Sequence, residues 1–342
     1  MNSRLINEGV LVRSVPCCPL CNLEGPEVYQ GLRDGLFEAP GQWSYRKCPG
    51  CDLIWIDPQP LPEEIHKIYT GYHPRPSPVG CGDSLKERIK AAMLAHAFGY
   101  ECTQPTSSGS IGARIGMRIP FVRDLAGRSV RFLKAAERGE LIDVGCGTGA
   151  YLDRMRGLGW KVLGIEPGDD AVQAARQVYG LPVIKATMES AHVKPGSADA
   201  ITLHHVIEHV PAPFETLTAC AEALRPGGTL VLITPNPGSL AHGLFRSRWR
   251  GIEPPRHFQL FPLNTLARCV ERAGLEVTKA WTTSSGARDL WLGSLQLTFG
   301  RPYKSALHNP VAFVSAWVFQ LVEDLLIHQN RGEEDVVLAK KA

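Results

Sequence analysis

From Glu140 onward, short apolar runs alternate with amphipathic stretches of helical period. Leu141–Val144 reads as a buried strand, Gly145–Gly149 as a turn and Tyr151–Leu158 as a helix. Lys161–Ile165 is the next strand, followed by a helix from Asp170 to Tyr179. Further strands are expected at Pro182–Lys185, Ala200–Leu203, Thr229–Thr234 and Leu275–Thr282, with helices near 213–225 and 264–273. Repeated strand–helix units of this kind predict a parallel sheet covered on both faces.

The first part of the chain is patterned differently. Asp52–Asp57 is a short strand pattern closed by Pro58, Pro60 and Pro62, and Pro62–Tyr69 reads as a short helix. His73–Gly82 is a Pro/Gly linker. Ser84 can cap a helix over 84–99, with Glu87 completing a capping box. Gln104–Gly112 is a Ser/Gly loop, and 113–138 carries Arg114, Arg118, Arg123, Arg128, Arg131, Lys134 and Arg138 against only Asp124 and Glu137. Such a run reads as a solvated helical face, or as a surface for an anionic substrate or an acidic membrane. Near the far end, Val314, Trp317, Val318, Leu321, Val322 and Leu325 make one helical stripe, which reads as core. An acceptor pocket, a dimer seam or a membrane face are the other uses of such a stripe. The expected organisation is a module over 1–75, a helical linker region over 76–135, and a domain over 136–342 with a helical insertion at 287–330.

Composition narrows the class. The 342 residues are 44% hydrophobic and 21% charged, with a formal charge of +3. That excludes a largely disordered chain and argues against a dedicated duplex-binding protein. The first residues lack the apolar core of a secretory signal, and the run Val311–Phe319 is far too short to span a bilayer. Five of the ten cysteines fall within the first 51 residues, four of them as Cys18-Pro-Leu-Cys21 and Cys48-Pro-Gly-Cys51. Without a secretory signal the expected location is cytoplasmic, where close cysteine pairs read as metal ligands. Two C-x2-C turns supply the four sulfurs of tetrahedral Zn²⁺, and a filled shell makes the zinc structural. Cys17 is a bystander; Cys81, Cys102, Cys146, Cys220 and Cys269 are isolated.

Glycines at 145, 147 and 149 after a first strand let a ligand approach the backbone and the following helix N-terminus. Alone, the loop also fits a relaxed dinucleotide fingerprint, and Glu166 at the end of the second strand could hold a ribose in either setting. The stretch from about 140 to 285 resembles the class I S-adenosylmethionine (SAM) methyltransferases in several motifs, in order. These are Asp143-Val-Gly-Cys-Gly-Thr-Gly149, Glu166, Ala186-Thr-Met-Glu189, Asp199–His209 and Leu224-Arg-Pro-Gly-Gly-Thr229. Gly332–Ala339 resembles the family's seventh strand, antiparallel beside the sixth. Cys48–Tyr72 resembles the front of a subgroup that includes sugar C-methyltransferases.

The resemblance implies an α/β fold with a Rossmann-like seven-stranded sheet, a small zinc-binding module in front, and helical insertions. It implies SAM as cofactor, held by Asp143, Gly145, Gly147, Gly149, Glu166, Thr187, Met188 and His204. Thr187 stands where many relatives carry Asp. Methyl transfer to a hydroxyl or an acidic C–H needs a proton acceptor, and His is suited to that near neutral pH. In the loop after strand four, His209 or His205 is the candidate base, His209 the preferred one, with Glu208 orienting it and fixing its tautomer. The alternatives are a loop that these residues merely shape, or a divalent cation held by His205, Glu208, His209 and His257. The cation has a precedent by resemblance: metal-dependent O-methyltransferases, including small-RNA 2′-O-methyltransferases and ubiquinone-pathway enzymes, have Glu-x-x-Glu-His here. The RNA enzymes also keep an Arg-His pair like Arg256-His257. This chain has His205 in place of the first Glu.

Thr234–Pro237 faces the same site, and Arg246, Arg248, Arg250 and Arg256 are candidate contacts for an anionic acceptor. The expected activity is methylation of a small molecule, with a nucleotide- or lipid-linked sugar implied by the subgroup. An RNA methyltransferase and a SAM-binding adaptor are the competing readings.

Overall fold

In a computed structural model, the structure describes residues 5–69, 85–100, 118, 120–300, 309–326 and 329–342. The expected linker at 73–82, the Ser84 cap, the loop at 104–112, Arg114, Cys81 and Cys102 lie outside the described residues.

Six strands open the chain: β1 (Leu5–Asn7), β2 (Val10–Arg13), β3 (Glu27–Leu32), β4 (Trp43–Lys47), β5 (Ile54–Ile56) and β6 (Gln59–Pro60). A single helical turn, α1 (Ile65–Ile68), follows the proline-rich corner. Next come α2 (Leu85–Phe98) and α3 (Pro120–Ser129). The alternating region gives β7 (Glu140–Val144), α4 (Ala150–Gly157), β8 (Lys161–Ile165), α5 (Asp169–Tyr179), β9 (Val183–Ile184), β10 (Ala198–His204), α6 (Pro213–Ala223) and β11 (Leu224–Pro235). The chain then forms α7 (Leu240–Phe245), β12 (Gln259–Leu260), α8 (Leu263–Arg272), β13 (Leu275–Thr283), α9 (Ala287–Phe299), α10 (Pro310–Leu326) and β14 (Glu334–Lys341).

The seven-stranded sheet has the order β13-β14-β11-β10-β7-β8-β9. All neighbours from β11 to β9 are parallel, and β14 alone runs antiparallel, against both β11 and β13. This is the Rossmann-like class I arrangement that the motif order implied, with the seventh strand inserted beside the sixth. Leu141 and Ile142 are both buried because helices cover both faces of the sheet. On α8, Leu263, Leu266, Cys269 and Val270 share one buried stripe. The register sets Asp143 opposite Thr202, His204 opposite Ile233, and Thr234 opposite Asp335. Polar side chains thus gather at the carboxyl ends of β7, β10 and β11, where β14 begins.

The first sixty residues are stitched to the large sheet region. β12 completes a four-stranded sheet of order β12-β5-β4-β3, with Gln259 opposite Trp55 and Leu260 opposite Ile54. Trp43, Tyr45, Ile54, Ile56 and Ile68 share one core with Trp249, Ile252, Phe258 and Leu260. Each large side chain buried there contributes about 1.5–3 kcal/mol, so the two parts stabilise each other.

Two expectations fail. The stripe on α10 is not core: Val314, Trp317, Val318, Leu321, Val322 and Leu325 are all exposed, while Ala316, Phe319, Gln320 and Glu323 are buried. The helix docks by its other face. Nor is the cationic run of 113–138 wholly a solvated face. Arg131 is buried against Asp143, and Arg128 pairs with the buried Glu334.

Candidate active site

The glycine loop leaves β7 with Gly145 at φ +65° and Gly147 at φ +54°. A Cβ on Gly145 would stand 2.4 Å from a methyl of Val206, so only glycine fits. A Cβ on Gly147 would meet nothing within 4 Å, and the backbone there is open to a ligand. Glu166 ends β8 and braces this loop. Its Oε2 accepts from the Gly147 N–H and its Oε1 from the Gly168 N–H, each at 2.9 Å. Burial raises its pKa, and those two N–H groups oppose the rise.

Beneath the loop, Asp143 is fully buried and accepts from Arg131 and, at 2.8 Å, from Thr202 Oγ1. The Arg131 guanidinium also lies 3.7 Å from the ring centre of Tyr151. Burial still pushes the Asp143 carboxyl up. Asp143 Oδ2 and, at the end of β10, His204 Nε2 are buried without hydrogen-bond partners. Burial holds His204 neutral. An orphaned carboxylate oxygen and a neutral imidazole beside an open glycine cradle suit the ammonium end of SAM. Farther out, Met188 is buried and the Thr187 hydroxyl is bound to Ser190 Oγ at 3.0 Å.

His205 is a non-glycine residue at φ +54°, a strained conformation of a kind that clusters at functional sites. Its Nδ1 is 3.1 Å from Glu208 Oε1 and its Nε2 3.0 Å from Glu334 Oε1. Thr234 Oγ1 donates to the other Glu208 oxygen at 2.9 Å, and Arg128 donates to Glu334 Oε1 at 2.7 Å. Burial alone would lower the His205 pKa, but the two carboxylates carry it up to about 9. Burial likewise opposes ionisation of Glu208, yet His205 and the neighbouring imidazoles bring it down to about 2. His205 is therefore an imidazolium clamped between two anions and cannot take a proton at pH 7.

His209 is arranged differently. Its Nδ1 lies 3.0 Å from the Arg256 carbonyl and 3.1 Å from the Tyr69 hydroxyl. An acceptor at the carbonyl fixes the Nδ1–H tautomer and leaves Nε2 with the lone pair. Burial lowers its pKa against the pull of Glu208 and Glu253. The expectation that Glu208 fixes this tautomer is thus corrected. Both Glu208 oxygens are taken, by His205 and Thr234, and the fixing group is a backbone carbonyl. His257 packs edge-on against His209, with 4.5 Å between ring centres. Its Nδ1 donates to the Gly251 carbonyl at 2.7 Å, and burial followed by His209 pushes its pKa down to about 3.

The four-residue cation set suggested by the sequence divides. Glu208, His209 and His257 bring ligand atoms within 4.8 Å of one another, whereas His205 groups with His204 and Glu334. The expected anion-binding arginines divide too. Arg256 is fully buried, donating to Glu253 at 2.9 Å, to Asp34 at 2.8 Å and to the Ile68 carbonyl at 3.1 Å. It is a structural tie and does not reach solvent. Arg250 is bound to Glu253, which leaves Arg246 and Arg248 exposed.

Within the first 51 residues, the sulfurs of Cys18, Cys21, Cys48 and Cys51 lie within 4.8 Å of one another. The Leu20 and Gly50 N–H groups each donate to a cysteine sulfur, on Cys18 and Cys48, at 3.4 Å. Four converging sulfurs with N–H support suit Zn²⁺.

Sequence reasoning missed Tyr69, Arg128, Arg131 and Glu334. Only one signal pointed to any of them: Glu333-Glu334-Asp335 places three acids at the start of an apolar strand, and all three are buried. Next to Tyr69, Arg256 donates to the Ile68 carbonyl, a contact 188 residues apart in sequence.

Residues 120–280 match the family model described as a methyltransferase domain. That match joins the strand order and the glycine loop. The domain is a class I methyltransferase domain. The sequence of this methyltransferase domain is similar to the ubiquinone biosynthesis O-methyltransferase of Xanthomonas campestris pv. campestris (strain B100), 37% identical over 111 residues, covering 30% of this chain and 46% of the relative. The enzyme of that name from Saccharophagus degradans is 36% identical over 109 residues, with the same coverage. The chain thus spans about half the length of the curated relatives it matches. Among solved structures, a SAM-dependent methyltransferase from Archaeoglobus fulgidus is 19% identical at a TM-score of 0.43, covering 73% of this chain and 98% of that one. One from Mesorhizobium loti is 16% identical at 0.41, covering 59% and 90%.

Proposed function

We propose that this chain methylates a small-molecule acceptor with SAM and that His209 Nε2 takes the acceptor proton. The observation that carries the reading is the contrast between two neighbouring histidines. His205 is held charged by Glu208 and Glu334, while His209 is held neutral with Nδ1 committed to the Arg256 carbonyl. A neutral imidazole whose Nε2 keeps its lone pair, in the loop that leaves the carboxyl end of β10, is matched to general-base work near neutral pH.

SAM supplies an electrophilic methyl group when bound. The residues that would hold it are Gly145, Gly147 and Gly149 with Glu166 toward the ribose, Thr187 and Met188 toward the adenine, and Asp143 and His204 toward the amino-acid end. His209 removes the proton from the acceptor hydroxyl or acidic C–H through Nε2. The resulting imidazolium keeps its Nδ1–H on the Arg256 carbonyl, and the negative charges of Glu208 and Glu253 favour it. Tyr69 adds a hydroxyl from the front module to the same imidazole. Cys18, Cys21, Cys48 and Cys51 would hold Zn²⁺, which would supply structural support to that module and no proton transfer.

The relatives are named as ubiquinone biosynthesis O-methyltransferases, which favours an oxygen nucleophile. A nucleotide- or lipid-linked sugar is the acceptor class that the front module suggests. Within the cationic run of 113–138, Arg128 and Arg131 pair with the buried Glu334 and Asp143, which weakens the RNA reading. The test is transfer of a labelled methyl group from SAM to phenols, sugar nucleotides and total RNA. Label in a small molecule supports the reading, and label confined to RNA overturns it.

A further inference from the structure

Helix α10 is inverted relative to an ordinary surface helix. Its two charged residues do not face outward: Glu323 is fully buried, and Asp324 is half-buried with its carboxylate on Ser284. Val311, Phe313, Val314, Trp317, Val318, Leu321, Val322 and Leu325 are instead between 38% and 75% exposed. A groove of about 730 Å³ runs along this face between α10, α9 and α7, lined by Leu244, Trp291, Val314, Val318 and Val322. No described helix is long and apolar enough to cross a membrane, so α10 can lie in an interface but not span it.

Charge decides between occupants. Arg288 lies against the Trp317 ring, 4.1 Å from its centre. Leu244 on the groove is followed at the end of α7 by the exposed Arg246 and Arg248. Asp289 is the exposed acid beside Arg288. A second copy paired through this face would present the same patch, in which Arg246, Arg248 and Arg288 would find Asp289 as the exposed acid to pair with. An anionic lipid surface satisfies both features at once. The apolar ridge enters the acyl boundary, and the arginines meet phosphate. We propose that α10 and the adjoining arginines seat this protein on an anionic bilayer.

The test is co-sedimentation of the full chain with vesicles of phosphatidylcholine alone and of phosphatidylcholine mixed with phosphatidylglycerol. The expected result is binding to the mixed vesicles that weakens as salt is raised. Trp317→Glu with Leu321→Glu should abolish binding. These side chains are exposed, and unchanged zinc content and melting temperature show that the variant is folded. Should that variant not fold, Arg246→Gln, Arg248→Gln and Arg288→Gln together leave the apolar face intact. They should weaken binding by about fivefold per arginine. Equal binding to both vesicle types, or no binding to either, overturns the proposal. So does a wild-type dimer that the apolar variant converts to monomer without any vesicle binding.

Discussion

Replacing Glu334 with Gln removes one of the two carboxylates that hold His205 charged. His205 rises from 6.5 to about 9 on folding, through hydrogen bonds at 3.1 and 3.0 Å to Glu208 and Glu334. A raised folded-state value stabilises the protein fully below pH 6.5, and that stability is lost as pH climbs through about 9. At roughly 1.4 kcal/mol per pKa unit the full contribution is about 3 kcal/mol. Glu334→Gln should take away about half of it near pH 6, and some further stability with the Arg128 ion pair. The assay is twofold. NMR titration of the His205 ring should give a value near 9 in the wild type and a clearly lower one in the variant. Urea unfolding from pH 6 to 10 should show the stability gap narrowing as pH rises. A wild-type His205 titrating near 6.5, or a gap independent of pH, would refute the reasoning. A merely structural loss of Glu334 would not move with pH in this way.

The other expectations concern separate parts of the molecule. Glu166→Ala should weaken SAM binding by about ten- to a hundredfold in calorimetry, because it removes a charge-assisted contact and frees the Gly147 N–H. Elemental analysis should find one zinc per chain, lost in Cys48→Ser with Cys51→Ser. That loss should also slow methyl transfer, because the Ile68–Tyr69 turn belongs to the module the zinc would fold. Arg256→Ala should destabilise the fold by about 3–5 kcal/mol in urea unfolding, leaving Asp34 and Glu253 buried without their cation.

The strand–helix alternation after Glu140 was legible because each element is short, strongly periodic and bounded by glycine or proline. The glycine loop and Glu166 lie within one strand–helix–strand unit, so sequence order already brought them together. The histidine loop was legible as a place and not as a mechanism. His205 and His209 look equivalent in the sequence, and what separates them is Glu334 on one side and the Arg256 carbonyl on the other. Both partners come from far along the chain. Arg131 and Arg256 read as surface cations because sequence does not reveal the carboxylates waiting in the interior, Asp143 in one case and Asp34 with Glu253 in the other. The α10 stripe misled for the opposite reason. Apolar periodicity marks one face of a helix without saying whether that face meets the core or a partner.

The base assignment of His209 Nε2 underlies the proposed chemistry. Its most direct test is single-turnover methyl transfer to the acceptor found by the labelling screen, comparing wild type with His209→Gln and measuring SAM affinity alongside. A fall of about 10²–10⁴ in the rate is expected, with SAM affinity little changed. Near-normal transfer in the variant would contradict the assignment.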